Sequence, residues 1–510
     1  MAGSADAVRP MWRGKRSQGA VLVRHCQRAT FWRDTAGAPY ATVGDGPSSA
    51  HFEVGGSGFR QWLARGYFDE CGGAPTSAAL NDTVAYAAAR GAFGQDVRPV
   101  FLRIGAHGPD ILVDACDGAG TVVRIGSGTV TAEQGSAVAF RRAPGAGALP
   151  PPELGGSLCD LRQFVNVGDE DWPLVAGWLV AAVRPVGPFP VLFLHGEQGS
   201  GKSTQARVLR ALVDPNFAAL RAAPRDVQDL AVSAHNNWVM ALDNLSSLPT
   251  WLSDALCRLS TGGGFATRAL YANDRETVFH AQRPALVTGI EDVATRGDLL
   301  DRSLIVHLPL LPARRRLAES DFWREFNAAR PALFGALCGA AAAALAAPPA
   351  PRDVALPRLA DFAVWASRAA PSFGCTASDF AAVYARGVAE HSVAAMEASA
   401  LARPLVRLAV AGDWRGTASD LVYAVETMAG RAGARSAGWP RSPTQFAGCV
   451  RRLAPSLRAI GINVAFEREP GTGRRLISLA VADRALALAH GLDGAPGARP
   501  CQRGPYDPSR

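Results

Sequence analysis

Nine consecutive residues limit what this chain can fold into more than any other feature: Gly196, Glu197, Gln198, Gly199, Ser200, Gly201, Lys202, Ser203 and Thr204. They satisfy GxxxxGK[ST] in full. Glycines let successive backbone N–H groups curl inward around an anion, and a helix that starts at Lys202 adds its positive N-terminus. The flanks agree: residues 191–195 are a short apolar run, and residues 202–212 have helical spacing. Strand, tight turn and helix in that order require an α/β layer on a parallel sheet. Lys202 is then placed to reach the β- and γ-phosphates of ATP, and the Ser203 hydroxyl to ligate Mg2+. The competing reading is a simple glycine turn. Against it stands the lysine itself, because the chain uses lysine only at Lys15 and Lys202 among 53 basic residues. A compact ammonium at that point is not replaceable by a planar guanidinium.

A metal needs a second oxygen ligand. The apolar run 238–242 ends in Asp243, which would hold Mg2+ directly or through a water. The alternative is an acid capping a helix. The next residue is Asn244, where many ATPases carry a water-activating acid, so no general base is identified. Residues 284–289 form another apolar run, and Thr288 at its end would place a polar sensor beside the γ-phosphate or be an ordinary buried threonine. Arg302, just ahead of the apolar run 303–308, would reach a neighbouring subunit's γ-phosphate as an arginine finger, with Arg296 as its substitute. Otherwise Arg302 pairs with Asp298 or Asp301.

With 510 residues the chain is too long for one domain. Residues 1–150 read as an α+β domain, with strands at 99–104, 111–113, 121–125 and 137–140 and helices at 59–67 and 77–89. Asp114 and Asp117 follow one of those strands, but their spacing is loose for a polymerase-type acid pair, and Asp114 reads better as a turn or cap residue. Residues 143–156 have the composition of a linker. Residues 157–312 alternate strand and helix, residues 313–408 are alanine-rich and helical with a break at 348–351, residues 409–484 form a compact unit, and residues 491–510 read as a disordered tail.

Apolar residues make up 48% and charged residues 19%, which excludes a disordered polyelectrolyte. The net charge of +8 suits a polyanion such as DNA, and equally a solvated basic surface. Nine scattered cysteines without a CxxC pair argue against a disulfide framework or zinc site and for reduced thiols. The apolar stretch 174–194 is interrupted by Arg184 and three prolines, and the alanine run 340–347 is too short to span a bilayer. A soluble, cytoplasmic protein with no membrane partner is expected.

The order of these elements resembles the superfamily III helicases of viruses, phages and plasmids, within the AAA+ class. Residues 194–308 look like the ATPase module of phage and plasmid primase-helicases. The resemblance rests on GEQGSGKST (196–204), ALDN (241–244), TGGGFATRALYANDRETVFH (261–280), RPALVTGI (283–290) and DLLDRSLIVHLP (298–309). It implies a P-loop AAA+-like three-layer sandwich and a homo-oligomeric ring, usually a hexamer, that moves on DNA. Two departures stand out: Thr288 or Gly289 occupies a position that is usually Asn, and the acid after Asp243 is missing. Residues 261–280 also read as two strands around the turn 272–275. In the resembling family this hairpin carries basic residues into the ring pore, here Arg268 and Arg275. A surface hairpin with solvated charges is the alternative.

The unit 409–484 reads as helix 416–430, helix 444–460 and a hairpin of 464–468 with 474–479, which is winged-helix order. Pro455 would kink or end the second helix. Between residues 441 and 475 there are seven Arg against two Glu. The segment is similar to the C-terminal DNA-binding domains of the same primase-helicases, with Arg451, Arg452, Arg458, Arg474 and Arg475 as DNA contacts; a winged helix used for protein contact is the alternative. The leading expectation is an ATP-dependent, ring-forming DNA motor, a replicative helicase of a phage or mobile element. The runner-up is an ATP-switched DNA-binding regulator or defence ATPase without unwinding activity. A small-molecule kinase explains the loop but neither the hairpin nor the C-terminal unit.

Overall fold

The computed structural model describes residues 17–46, 49–268, 276–289, 296–348, 357–397, 399–433 and 439–483. Lys15, Arg275 with its turn, residues 349–351 of the expected break and the tail 491–510 lie outside them, and Arg268 is described by its backbone alone. The fold is mixed α/β and divides into two units, residues 1–126 with 130–149 and residues 127–129 with 150–510.

In the first unit α1 (Gln18–Cys26), α2 (Ser57–Cys71) and α3 (Ser77–Ala92) pack around an antiparallel sheet of β1 (Thr30–Arg33), β2 (Pro39–Val43) and β3 (Ala50–Glu53). Ser17 and Thr76 start α1 and α3 by accepting from the N–H groups of Ala20 and Ala79. Gly66 in α2 lies against the His25 ring, which a β-carbon there would meet at 2.0 Å. Trp32 is fully buried, stacks on Tyr40 at 4.9 Å and donates to Thr42 Oγ1 at 2.8 Å. The expected strand at 99–104 is instead two, β4 (Val100–Phe101) and β5 (Ile104–His107). Arg103 breaks the run because its buried guanidinium turns onto the carbonyls of Asp114 and Gly147. β5 continues into a four-stranded sheet with β6 (Asp110–Asp114), β7 (Thr121–Gly126) and β8 (Thr129–Gln134), while β9 (Ala139–Phe140) pairs in parallel with β4.

The second unit opens with α4 (Trp172–Ala182), all eleven residues of which are buried. That explains the apolarity of 174–194 as core rather than membrane. Its neighbours satisfy the buried indoles: Trp172 donates to Phe373 O, Trp178 to Pro190 O and Trp365 to Val180 O. The chain continues through β10 (Val191–His195), α5 (Lys202–Val213), α6 (Val227–Asn236), β11 (Met240–Leu245), α7 (Thr250–Thr261), β12 (Gly263–Arg268), β13 (Glu276–Ala281), β14 (Ala285–Gly289), α8 (Gly297–Leu300) and β15 (Ser303–His307). β11, β14, β10 and β15 form, in that order, a parallel sheet. Every residue of β10 and β14 is buried, as a sheet covered on both faces requires. β12 and β13 pair antiparallel from Gly263 with Ala281 to Arg268 with Glu276.

Four helices follow: α9 (Glu319–Ala346), α10 (Ala360–Ala369), α11 (Ala377–Glu397) and α12 (Ala402–Ala411). Among the described residues α9 is the one helix long and apolar enough to cross a membrane, and 56% of its apolar window is buried inside the protein. The C-terminal elements are β16 (Trp414–Gly416), α13 (Ala418–Gly433), α14 (Pro443–Ala459), β17 (Ile462–Arg468) and β18 (Arg475–Val481), with an antiparallel sheet ordered β16-β18-β17. Phe446, Val450, Leu453 and Leu457 make one buried stripe along α14. Pro455 does not end this helix, which runs on to Ala459. It lies on the exposed side, where water can serve the carbonyl of Arg451 that Pro455 leaves without its helical donor.

The boundary between the two units falls within the stretch 143–156, at Leu149 and Pro150, and each side of it is bonded into its own unit. Ala143 and Leu149 are buried in the first unit, and Leu149 N donates to Ala115 O at 2.9 Å. In the second unit Glu153 N donates to Pro331 O at 3.0 Å, and a β-carbon on Gly335 of α9 would meet the Glu153 carbonyl at 1.9 Å. Gly335→Ala is therefore expected to destabilise the protein by about 1–3 kcal/mol, read as a lower denaturation midpoint. An unchanged midpoint would mean that residue 153 is not held.

Candidate functional site

The carboxyl ends of the parallel strands carry the site. β10 stops at His195, whose carbonyl accepts from Leu308 N at 2.8 Å. The chain then turns through Gly196 (φ 153°), Glu197, Gln198, Gly199 (φ 86°), Ser200 and Gly201 (φ 86°) before α5 begins at Lys202. A side chain at Gly196 would meet the Leu308 carbonyl at 2.7 Å, so close packing and left-handed backbone both demand glycine here. α5 has no side-chain cap and no acid in its first turn, which leaves its positive end uncompensated. Lys202 Nζ donates to the carbonyls of Gly196 at 2.5 Å and Glu197 at 2.8 Å. The Ser200 hydroxyl is buried without a hydrogen-bond partner. Thr204 follows within the first turn of α5.

Asp243 comes to this loop from β11. Ser203 Oγ donates to its Oδ1 at 2.9 Å, and Thr288 Oγ1 donates to the same oxygen at 2.5 Å. The β11–β14 ladder slips between Leu242 and Leu245, so Asp243 and Asn244 form a bulge. Asn244 takes a left-handed conformation (φ 57°) and its N–H donates to Thr288 Oγ1 at 2.9 Å. Asp243 N is held from the other side by Arg221 O at 2.8 Å. Thr288 is thus turned onto the carboxylate and the bulge. The sensor expectation put its hydroxyl toward a phosphate; here that hydroxyl orients Asp243.

Asn166 has no counterpart in the sequence reading. Its Nδ2 donates to Ser200 O at 3.1 Å and Pro309 O at 2.6 Å, and its backbone N–H donates to Gln205 Oε1 at 3.1 Å. It ties the loop to the segment after β15. No motif spacing marks it. Arg316 was also missed: its guanidinium lies beside Gly199. Arg296 is paired with Asp254 at 3.0 Å and Asp298 at 3.3 Å. Arg302 donates to the backbone carbonyl of Asp298 at 2.6 Å, not to a carboxylate, and its Nε is buried without a partner.

In the C-terminal elements a groove of about 500 Å³ lies between the first turns of α14 and the β17–β18 hairpin, lined among others by Thr444, Arg451, Phe466, Arg468 and Arg475. The Arg451 guanidinium sits over the Phe466 ring at 5.0 Å. Arg474 and Arg475 are exposed at the hairpin. Arg452 instead donates to Cys449 Sγ, and Arg458 donates to Val464 O at 2.9 Å, which ties α14 to β17. The five arginines expected to act together are therefore divided between open and internally engaged.

The first unit has its own cavity, of about 200 Å³, beside His51, Asp114 and Arg142. Asp114 is buried and held by Arg142 through two bonds of 2.9 and 2.8 Å and by Cys116 N at 2.9 Å. Asp117 accepts from Thr121 N. Both acids are engaged in local structure. Burial pushes the Cys116 thiol up to about 12, so it stays protonated at neutral pH. Among the described residues no cluster of three or more His, Cys, Asp or Glu could hold a metal ion.

Two family models match this chain. Residues 156–384 match one described as actinomycete integrative conjugative element replication protein, and residues 400–490 match one described as the AICE RepA C-terminal domain. Together they support a replication protein. Two solved apo structures of the NrS-1 C-terminal region are similar at 10% identity each, with TM-scores of 0.39 and 0.35. They cover 90% and 92% of this chain and 98% and 100% of theirs. No curated protein matches.

The Thr288 geometry gives a test free of any ligand. Thr288→Val strands Asn244 N–H and removes a donor from Asp243, for an expected loss of about 1–3 kcal/mol in denaturant unfolding. Thr288→Ser should retain most of the stability. Equal stability of Thr288→Val and the parent would contradict the bridge.

Proposed function

We propose that this replication protein is an ATP-dependent motor acting on DNA, and that residues 196–204 bind the nucleotide. The observation that carries the reading is the Ser203 hydroxyl bonded to the Asp243 carboxylate at 2.9 Å, at the mouth of the glycine loop. A hydroxyl and a carboxylate held that close supply the hard oxygen donors that Mg2+ prefers. The uncapped start of α5 and the loop N–H groups suit phosphate oxygens. Lys202 is at hand to leave the carbonyls of Gly196 and Glu197 for phosphate. Mg2+ with ATP would bring charge neutralisation and a polarised terminal phosphoryl group. Thr288 keeps Asp243 aimed, and Arg302 remains the candidate to act across a subunit boundary.

The parallel sheet with strand order β11-β14-β10-β15 supports a P-loop, AAA+-like ATPase core over 157–312, followed by a helical region over 313–408. Helix, helix and hairpin with an exposed basic groove support a winged-helix DNA-binding domain over 409–484. Within it Arg451, Arg474 and Arg475 are the better DNA contacts, and Arg452 and Arg458 the poorer. The full proposal is a cytoplasmic, ring-forming replicative helicase of a mobile element, usually a hexamer, with the β12–β13 hairpin and Arg268 and Arg275 toward the DNA.

Asn244 favours a second reading. A neutral amide stands where a water-activating acid is common, which suits an ATP-switched DNA binder or defence ATPase that does not unwind. Strand displacement separates the two readings. The helicase reading predicts ATP-dependent displacement of a forked duplex; tight ATP-dependent binding without displacement favours the switch.

Lys202→Ala is expected to weaken ATP binding about 10- to 100-fold and to abolish hydrolysis. Single-stranded or forked DNA should stimulate hydrolysis by the parent protein. Arg451→Ala with Arg475→Ala should weaken DNA binding and reduce its salt dependence by about two counterions. Hydrolysis indifferent to DNA at every salt concentration would rule out the motor.

A further inference from the structure

Past β15 the chain runs back along the glycine loop. Leu308 N bonds to His195 O, and the Pro309 carbonyl accepts from Asn166 Nδ2, the same amide that holds Ser200 O. A single 3-10 turn, Ala313–Arg315, then brings Arg316 back to the loop. Its Nη2 lies 3.6 Å from the point a β-carbon would take at Gly199. Gly199 has φ 86°, so the loop shows bare backbone to this guanidinium.

Several arginines of the second unit pair with acids: Arg207 with Glu319, Arg296 with Asp254 and Asp298, Arg324 with Asp321, and Arg358 with Asp301. Among the described residues Arg314, Arg315 and Arg316 have no acidic partner, and all three are exposed. An exposed cation without an acid, beside the loop that leads into an uncapped helix N-terminus, adds to a positive field that an anion would complete. The Ser200 hydroxyl, buried and unpartnered within the same loop, is a second polar group without a protein ligand.

We infer that Arg316 is a nucleotide-binding residue supplied by the same chain: its guanidinium binds phosphate oxygens of a nucleoside polyphosphate seated in the loop, on the Gly199 side, while Lys202 binds from the helix side. This rests on the nucleotide reading above. A planar guanidinium suits two oxygens of one phosphate or one oxygen from each of two. It also gives the segment 308–316 a reason to be tied to the loop through Asn166, because the two cations must keep a fixed separation. Arg314 and Arg315 add to the local field without a geometric claim.

Equilibrium binding of a fluorescent ATP analogue to the full chain, at low salt and with Mg2+, tests the assignment. Arg316→Ala should weaken the triphosphate about 10-fold and the corresponding monophosphate little. Arg316→Lys should recover part of the loss. Arg324→Ala, which removes equal charge from an exposed pair, should change nothing. Loss in Lys202→Ala with none in Arg316→Ala would overturn the assignment and leave the nucleotide site standing. Binding that survives both substitutions would overturn the nucleotide reading itself. An equal loss of mono- and triphosphate affinity in Arg316→Ala would also overturn phosphate recognition.

Discussion

Parallel pairing of β10 between β14 and β15 is the constraint on which the second unit depends. The register sets Val191 beside Ala285 on one side and Ser303 on the other, and ends with His195 beside Gly289 and His307. Because the strands run the same way, three chain segments leave the sheet at one edge: the glycine loop after His195, the Thr288 end of β14 and the segment 308–316. A parallel sheet needs long crossovers, and here they include α5, α6, α7 and the β12–β13 hairpin. Residues from positions 196 to 316 converge as a consequence of that one alignment.

A second constraint is local. β11 joins the sheet beside β14, but its ladder slips at Asp243 and Asn244. The slip lets the Asp243 carboxylate meet both Ser203 and Thr288, and it forces Asn244 into left-handed backbone, which asparagine tolerates better than most residues. Thr288 closes the arrangement with one hydroxyl used twice, as donor to Asp243 and acceptor from Asn244 N. An amide at this position would reach farther from the strand, and a hydrophobic residue would leave the bulge unsatisfied. The neutral Asn244 and the inward Thr288 are thus parts of one local solution.

Features fixed by backbone geometry were legible from residues alone. Gly196, Gly199 and Gly201 have φ values that exclude most other residues, so the loop announces itself, and the apolar run of β10 ahead of it is plain. The approach of Asp243 to the loop could be anticipated because an apolar run ends in an acid. What could not be found depends on where side chains turn. Nothing in the spacing of Asn166 or Arg316 relates either to the loop. Arg458 looks like Arg451 in sequence, yet one is bonded to a strand carbonyl and the other stacks on Phe466 in an open groove. The stretch 143–156 has the composition of a linker and contains the boundary between the units, but its composition does not show the close approach of Glu153 to Gly335.

We propose that Lys202, Ser203 and Asp243 together seat phosphate and a metal ion, starting from the hydrogen bonds they now make. A structure of the full chain with Mg2+ and a non-hydrolysable ATP analogue tests it most directly. The account predicts that Lys202 Nζ leaves the carbonyls of Gly196 and Glu197 for phosphate oxygens, and that a metal ion stands between Ser203 Oγ and Asp243. Saturating nucleotide bound elsewhere, with Lys202 still on those carbonyls and Ser203 still on Asp243, would contradict it.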